Sequence, residues 1–170
     1  MKSGIKAAVF ILIVLLFLGG CNAKPKDYFT VEGHDQDWIL ELPQSFELSE
    51  EENHEEFKIY AKTFKNSNGM ALNIMESPDE GAKIASEESL KESLSIDNYF
   101  ALERTETIDL EGIGKIYGAL VEDHATESHI FFYQLNLNGK LISIGIYQRK
   151  PFTMEEEAQI KGMISTLKKK

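Results

Sequence analysis

The sequence predicts an α+β fold built on a central antiparallel sheet of about six or more strands flanked by helices. Three observations lead there. Asn138-Gly139, a strong two-residue turn signal, stands between two alternating runs, Ile130–Leu137 and Lys140–Gln148. Further short alternating runs are joined mainly by hairpin-length turns. A helix start follows Pro151, with Thr153 and Glu156 at capping-box spacing. At 170 residues and 42% hydrophobic, the chain has enough apolar material for one ordinary core.

Lys2 and Lys6 precede an unbroken apolar run of twelve residues, Ala7 to Leu18. A membrane-spanning helix needs roughly 20, whereas a positive start, a short apolar centre and small residues before a cut mark a secretory signal. The sole cysteine follows at once, and Leu18-Gly19-Gly20-Cys21 resembles the lipobox of bacterial lipoproteins. The resemblance implies diacylglyceryl transfer to the Cys21 thiol, cleavage between Gly20 and Cys21, and palmitate-type acylation. An uncleaved anchor helix with an incidental cysteine is the alternative. Two acyl chains, at about 0.8 kcal/mol per buried CH₂, anchor a protein stably where one does not. The expected divisions are a signal peptide (1–20), a lipidated tether (21–26, polar and holding Pro25) and one domain (27–170). Loss of Lys2 and Lys6 with the leader leaves 16 basic against 28 acidic residues, a net of −12. Such a body is repelled by anionic lipid, so lipidation at Cys21, not charge, would hold it to the extracytoplasmic face of the cell membrane.

Within the domain, Trp38, Leu40 and Leu42 alternate with Ile39 and Glu41 until Pro43. Phe57, Ile59 and Ala61 alternate with Lys58, Tyr60 and Lys62, and Asn66-Ser67-Asn68-Gly69 turns that strand into Met70, Leu72 and Ile74. A helix is expected from Pro78 to about Ser95, capped by Ser77, with a thin inner face of Ala82, Ala85, Ser86, Ser89, Leu90 and Leu94. Ala101–Leu110 and Ile113–Val121 form a second pair around Glu111-Gly112. In the last hairpin a turn at 138–139 opposes residues whose numbers sum to 277. Leu135 then faces Ile142, Tyr133 faces Ile144 and Phe131 faces Ile146; on the other face Phe132 covers Gly145 and Gln134 meets Ser143. The C-terminal helix has Glu155, Glu156 and Glu157 in its first turn and Lys168, Lys169 and Lys170 at its end, with an apolar stripe of Ile160, Met163, Ile164 and Leu167.

This order, with Trp38-Ile-Leu-Glu-Leu-Pro43, the Asn138-Gly139 hairpin and Pro151-Phe-Thr-Met-Glu-Glu to Leu167, resembles the superfamily of PsbP proteins, bacterial DcrB lipoproteins and the Ran-release factor of nuclear import. The resemblance covers most of residues 36–168 and implies an α/β/α sandwich with helices on both sheet faces. It implies members that bind partners or support membrane complexes, without a catalytic signature. A cystatin-like or other single-sheet α+β fold is the competing architecture.

A net charge of −10 argues against a nucleic-acid binder, which needs a basic face. One cysteine excludes an internal disulfide framework and a Cys-based zinc site. His34, His54, His124 and His129 form no HExxH pair; His124 and His129 with Glu122 and Asp123 are a metal candidate or a solvated turn. Glu47, Glu50, Glu51, Glu52, Glu55 and Glu56 read as a solvated loop, with cation binding as the minority reading. Gly112, Gly114 and Gly118 have the wrong spacing for a dinucleotide loop and suit a turn and close strand packing. Ser86-Glu-Glu-Ser89 and Ser89-Leu-Lys91 fail the serine-nucleophile patterns. Phe131, Phe132, Tyr133 and Tyr147 read as core, with a ligand-binding sheet face as the alternative.

The sequence therefore predicts no catalytic, cofactor-binding or metal residue, and only Cys21 as a modified site. The expected function is a non-catalytic lipoprotein acting as a binding or accessory module for an unknown protein partner. The alternative is a small-ligand or cation sensor using the acidic 47–56 stretch or an apolar sheet pocket.

Overall fold

The computed structural model describes residues 27–78, 85–95 and 99–170. The leader, Cys21 and the tether lie outside the described residues, as does Ala82. In chain order the elements are β1 (Tyr28–Glu32), β2 (Trp38–Pro43), β3 (Phe46–His54), β4 (Ile59–Asn66), β5 (Ala71–Pro78), α1 (Glu87–Ser95), β6 (Phe100–Leu110), β7 (Gly114–Asp123), β8 (Ser128–Leu137), β9 (Lys140–Gln148), α2 (Met154–Ile164) and β10 (Lys168–Lys169). Seven strands form one antiparallel sheet in the order β3-β4-β5-β9-β8-β7-β6, and β1-β2-β10 form a second, three-stranded sheet.

The hairpin at 138–139 has the expected register along its whole length, from Leu137 opposite Lys140 to His129 opposite Gln148. Asn138 and Gly139 both take positive φ, 53° and 75°, the twist that joins two strands without splaying them. The alternation sorts side chains onto two faces. Phe131, Tyr133, Leu135, Ile142, Ile144, Ile146, Leu72 and Ile74 share one core with Trp38, Leu40 and Leu42 of the small sheet and Ile160, Met163, Ile164 and Leu167 from the C-terminal segment. On the opposite face Leu90 and Leu94 of α1 cover Ala119 and Val121, with Ile130 and Phe132 alongside. The molecule is thus layered as α1, seven-stranded sheet, then small sheet with α2, and both faces carry a helix. Burying a large apolar side chain stabilises by about 1.5–3 kcal/mol. The inner layer, with most of the large side chains, dominates the stability.

Four local expectations are corrected. Ser77 and Pro78 do not start a helix: they end β5, opposite Leu141 and Lys140. The described helix begins at Glu87 and is capped by Ser86, whose Oγ accepts the Ser89 N–H at 3.0 Å while Ser89 Oγ accepts the Ser86 N–H at 3.0 Å. Eight paired positions with β9 outweigh the local cap signal, and proline is tolerated at a strand end. The acidic run is not a loop: Phe46–His54 is the edge strand β3, bulged between Leu48 and Glu50, with only Phe46 buried. An edge strand accepts charges on both faces because only one neighbour packs against it. Phe57 belongs to the β3–β4 turn and is 63% exposed, so the strand starts at Ile59 and its anchor is Phe64. The terminal lysines do not end a helix: α2 stops at Ile164, and Lys168 and Lys169 pair with β2.

Candidate binding surfaces

The sequence candidates disperse over the fold. His54 lies 3.4 Å from Glu52, His124 3.7 Å from Glu122 and His129 3.5 Å from Glu103, each a contact of one carboxylate and one imidazole. Among the described residues no group of three or more His, Cys, Asp or Glu side chains converges to hold a metal ion. Gly112 sits in the β6–β7 turn, and Gly118 packs against Tyr133, where a Cβ would fall 2.5 Å from the ring. Phe131 and Tyr133 are fully buried; Tyr133 donates to Glu106 at 2.7 Å, and Lys161 of α2 pairs with the same carboxylate at 2.7 Å. Burial, then the Glu106 hydrogen bond, push the Tyr133 hydroxyl above an ordinary phenol. This cluster ties α2 to the sheet.

A polar cleft missed in the sequence opens where the β1–β2 turn meets the large sheet. Its floor is Glu76 of β5, only 5% exposed. The His34 backbone N–H donates to Glu76 Oε1 at 2.6 Å, and Lys140 Nζ reaches Oε2 at 3.3 Å. Lys140 also pairs with Asp35 at 2.8 Å and Asp37 at 3.3 Å. Burial on its own would lower the Lys140 pKa; the Asp35 hydrogen bond and the charges of Glu76 and Asp37 outweigh it and raise the value. Hydrogen bonding from Lys140, reinforced by its charge, holds Asp35 below the usual carboxylate range. The His34 ring stacks on Tyr60 at 3.4 Å beside this carboxylate. A cavity of about 160 Å³ there is lined by Glu32, Glu51, Glu52 and Glu76, with Trp38, Tyr60 and Lys62. Of the acidic run only Glu51 and Glu52 line it, together with the next residue of β3, Asn53. The available signal was the register: Glu76 continues the buried alternation Leu72, Ile74, so its carboxylate needs an interior partner.

The larger concavity, about 690 Å³, runs between α1 and β6. Leu94, Phe100 and Leu102 form its apolar part, while Glu87, Glu88, Lys91 and Glu92 line the helix side. Phe100 and Leu102 are two residues apart and so share one strand face. Glu87 binds Lys91 at 2.6 Å and accepts from Thr105 Oγ1 at 2.9 Å, fastening the helix start to the strand. Lys91, then Thr105, lower the Glu87 pKa. Leu102 is 43% exposed and neighbouring Tyr99 60%.

No protein-family model matches the chain, and no curated protein matches it by sequence. Solved structures match it by fold. The solution structure of cyanobacterial PsbP (CyanoP) from Synechocystis sp. PCC 6803 superposes with a TM-score of 0.57 at 12% identity, covering 90% of this chain and 99% of that chain. The Saccharomyces cerevisiae Ran-binding protein Mog1p superposes with a TM-score of 0.50 at 14% identity, covering 83% of this chain and 94% of that chain. At such identities the likeness is one of architecture: the domain has an α+β fold similar to that of PsbP.

Proposed function

We propose that the chain is a lipid-anchored bacterial lipoprotein, held at Cys21 to the extracytoplasmic face of the cell membrane, whose domain binds a protein partner without catalysing a reaction. One observation carries the reading: the only cysteine stands directly behind a charged, then apolar, leader ending Leu18-Gly19-Gly20. A second supports the binding role. The fold is similar to that of Mog1p, a Ran-binding protein, and His54, His124 and His129 each sit beside a single carboxylate. Mass spectrometry of the native protein is expected to find an acylated N-terminal Cys21, and Cys21→Ser to leave the membrane fraction. A free thiol with Met1 still in place refutes the anchor. Membrane crosslinking that repeatedly captures no protein counts against the binding role.

A further inference from the structure

We propose that the groove between α1 and β6 receives a short, extended, lysine- or arginine-bearing segment of a partner protein, which adds to β6 as an eighth strand. The inference rests on the binding-module reading and names the chemistry of the partner. β6 ends the seven-stranded order, and no described strand pairs with its outer edge. An edge strand presents a row of unsatisfied N–H and C=O groups, and only another extended chain satisfies them in series. A docked helix keeps its backbone bonds to itself and leaves that row unpaired.

The groove beside this edge supplies the side-chain subsites. An added strand directs alternate side chains to one sheet face, here the face of Leu94, Phe100 and Leu102, where partly exposed Leu102 offers apolar surface. Helix and strand are joined by the hydrogen bond from Thr105 Oγ1 to Glu87, which fixes the start of α1 beside β6. Charge selects the occupant. Among the described lining residues the helix side carries Glu87 and Glu88 against Lys91, on a chain of net charge −10. A basic segment is attracted both at long range and in contact, and an acidic one is repelled. The same charge disfavours a second copy of this chain.

The test uses the full lipidated chain in dodecyl maltoside, immobilised and offered N-acetylated, C-amidated hexapeptides randomised over Lys, Glu, Val, Leu, Phe and Thr. Retained peptides, sequenced by mass spectrometry, are expected to be rich in Lys and poor in Glu, with apolar residues at alternate positions. Leu102→Lys is expected to lower their affinity about tenfold, since it removes apolar contact and adds a like charge, while Met154→Lys, at an 89% exposed position on α2, leaves it unchanged. N-methylation of alternate amides in the best peptide is expected to abolish binding on one phase and spare it on the other, as one-sided strand pairing requires. Absence of retention, Glu-rich peptides, or indifference to N-methylation overturns the proposal. So does a dimer in sedimentation that Leu102→Lys dissolves, which assigns the groove to a second copy. Peptides retained equally by Leu102→Lys overturn the groove while leaving the binding-module reading intact; failure of membrane crosslinking as well removes both.

Discussion

Lys140 joins parts of the chain that are far apart in sequence. It follows the Asn138-Gly139 turn and reaches Asp35 and Asp37 in the β1–β2 turn and Glu76 at the end of β5. The Lys140 side chain is 19% exposed and that of Glu76 only 6%, so this is close to a buried pair. Such a pair adds little net stability compared with apolar packing, but removing one partner strands the other charge. Lys140→Met is therefore expected to cost about 3 kcal/mol, measured by urea unfolding. The double change Lys140→Met with Glu76→Gln is expected to recover part of that loss. A single-variant cost below about 0.5 kcal/mol, the range of an ordinary surface substitution, would refute the burial argument. Glu76 could be suspected from the sequence because it occupies an interior register position after Leu72 and Ile74. Its partner could not: nothing local to Lys140 reveals that its three carboxylates come from two remote segments.

The two helices show when local signals suffice. In α2, Thr153 Oγ1 accepts the Glu156 N–H at 3.2 Å and Glu156 accepts the Thr153 N–H at 2.8 Å, the capping box read from spacing alone. The hydrogen bond from the Thr153 backbone, more than any other cause, pulls the Glu156 pKa down to about 2. A carboxylate depressed in the folded state stabilises at pH values above its unfolded pKa of 4.5, and that contribution is lost as pH falls from there through about 2. Glu156→Gln is expected to cost about 1 kcal/mol at neutral pH and clearly less at pH 3. Urea unfolding at both values checks this, and an equal loss at both contradicts the assignment. In α1 the working cap is Ser86, paired with Ser89. It lacks a glutamate at the third position, so Ser77 followed by Pro78 was the stronger local pattern. That pattern lost because Ser77 and Pro78 have cross-strand partners on β9. Strand pairing is a contact with a distant segment and leaves no mark in a window of a few residues.

At the scale of the molecule, the chain builds β3, β4 and β5 as a meander, crosses with α1 to the far edge, and returns through β6, β7 and β8 until β9 closes on β5. That closing pair is what places β3 and β6 at the two rims. β3 became an edge strand dense in carboxylates, and β6 became the edge with a groove beside it. By itself the sequence determined the leader pattern, the α+β class, seven of the ten described strands and the 277-sum register. It also determined the second helix, because each rests on neighbours within a few residues: a turn that accepts positive φ, a side chain that caps its own helix, an alternation that fills one face. Only the tertiary structure decided which strands lie at the edges, which helix covers which face, and that Glu76 and the α1–β6 groove exist. Those depend on pairings between segments tens of residues apart, where hydrophobic burial and main-chain hydrogen bonding choose among many alternatives that look alike one segment at a time.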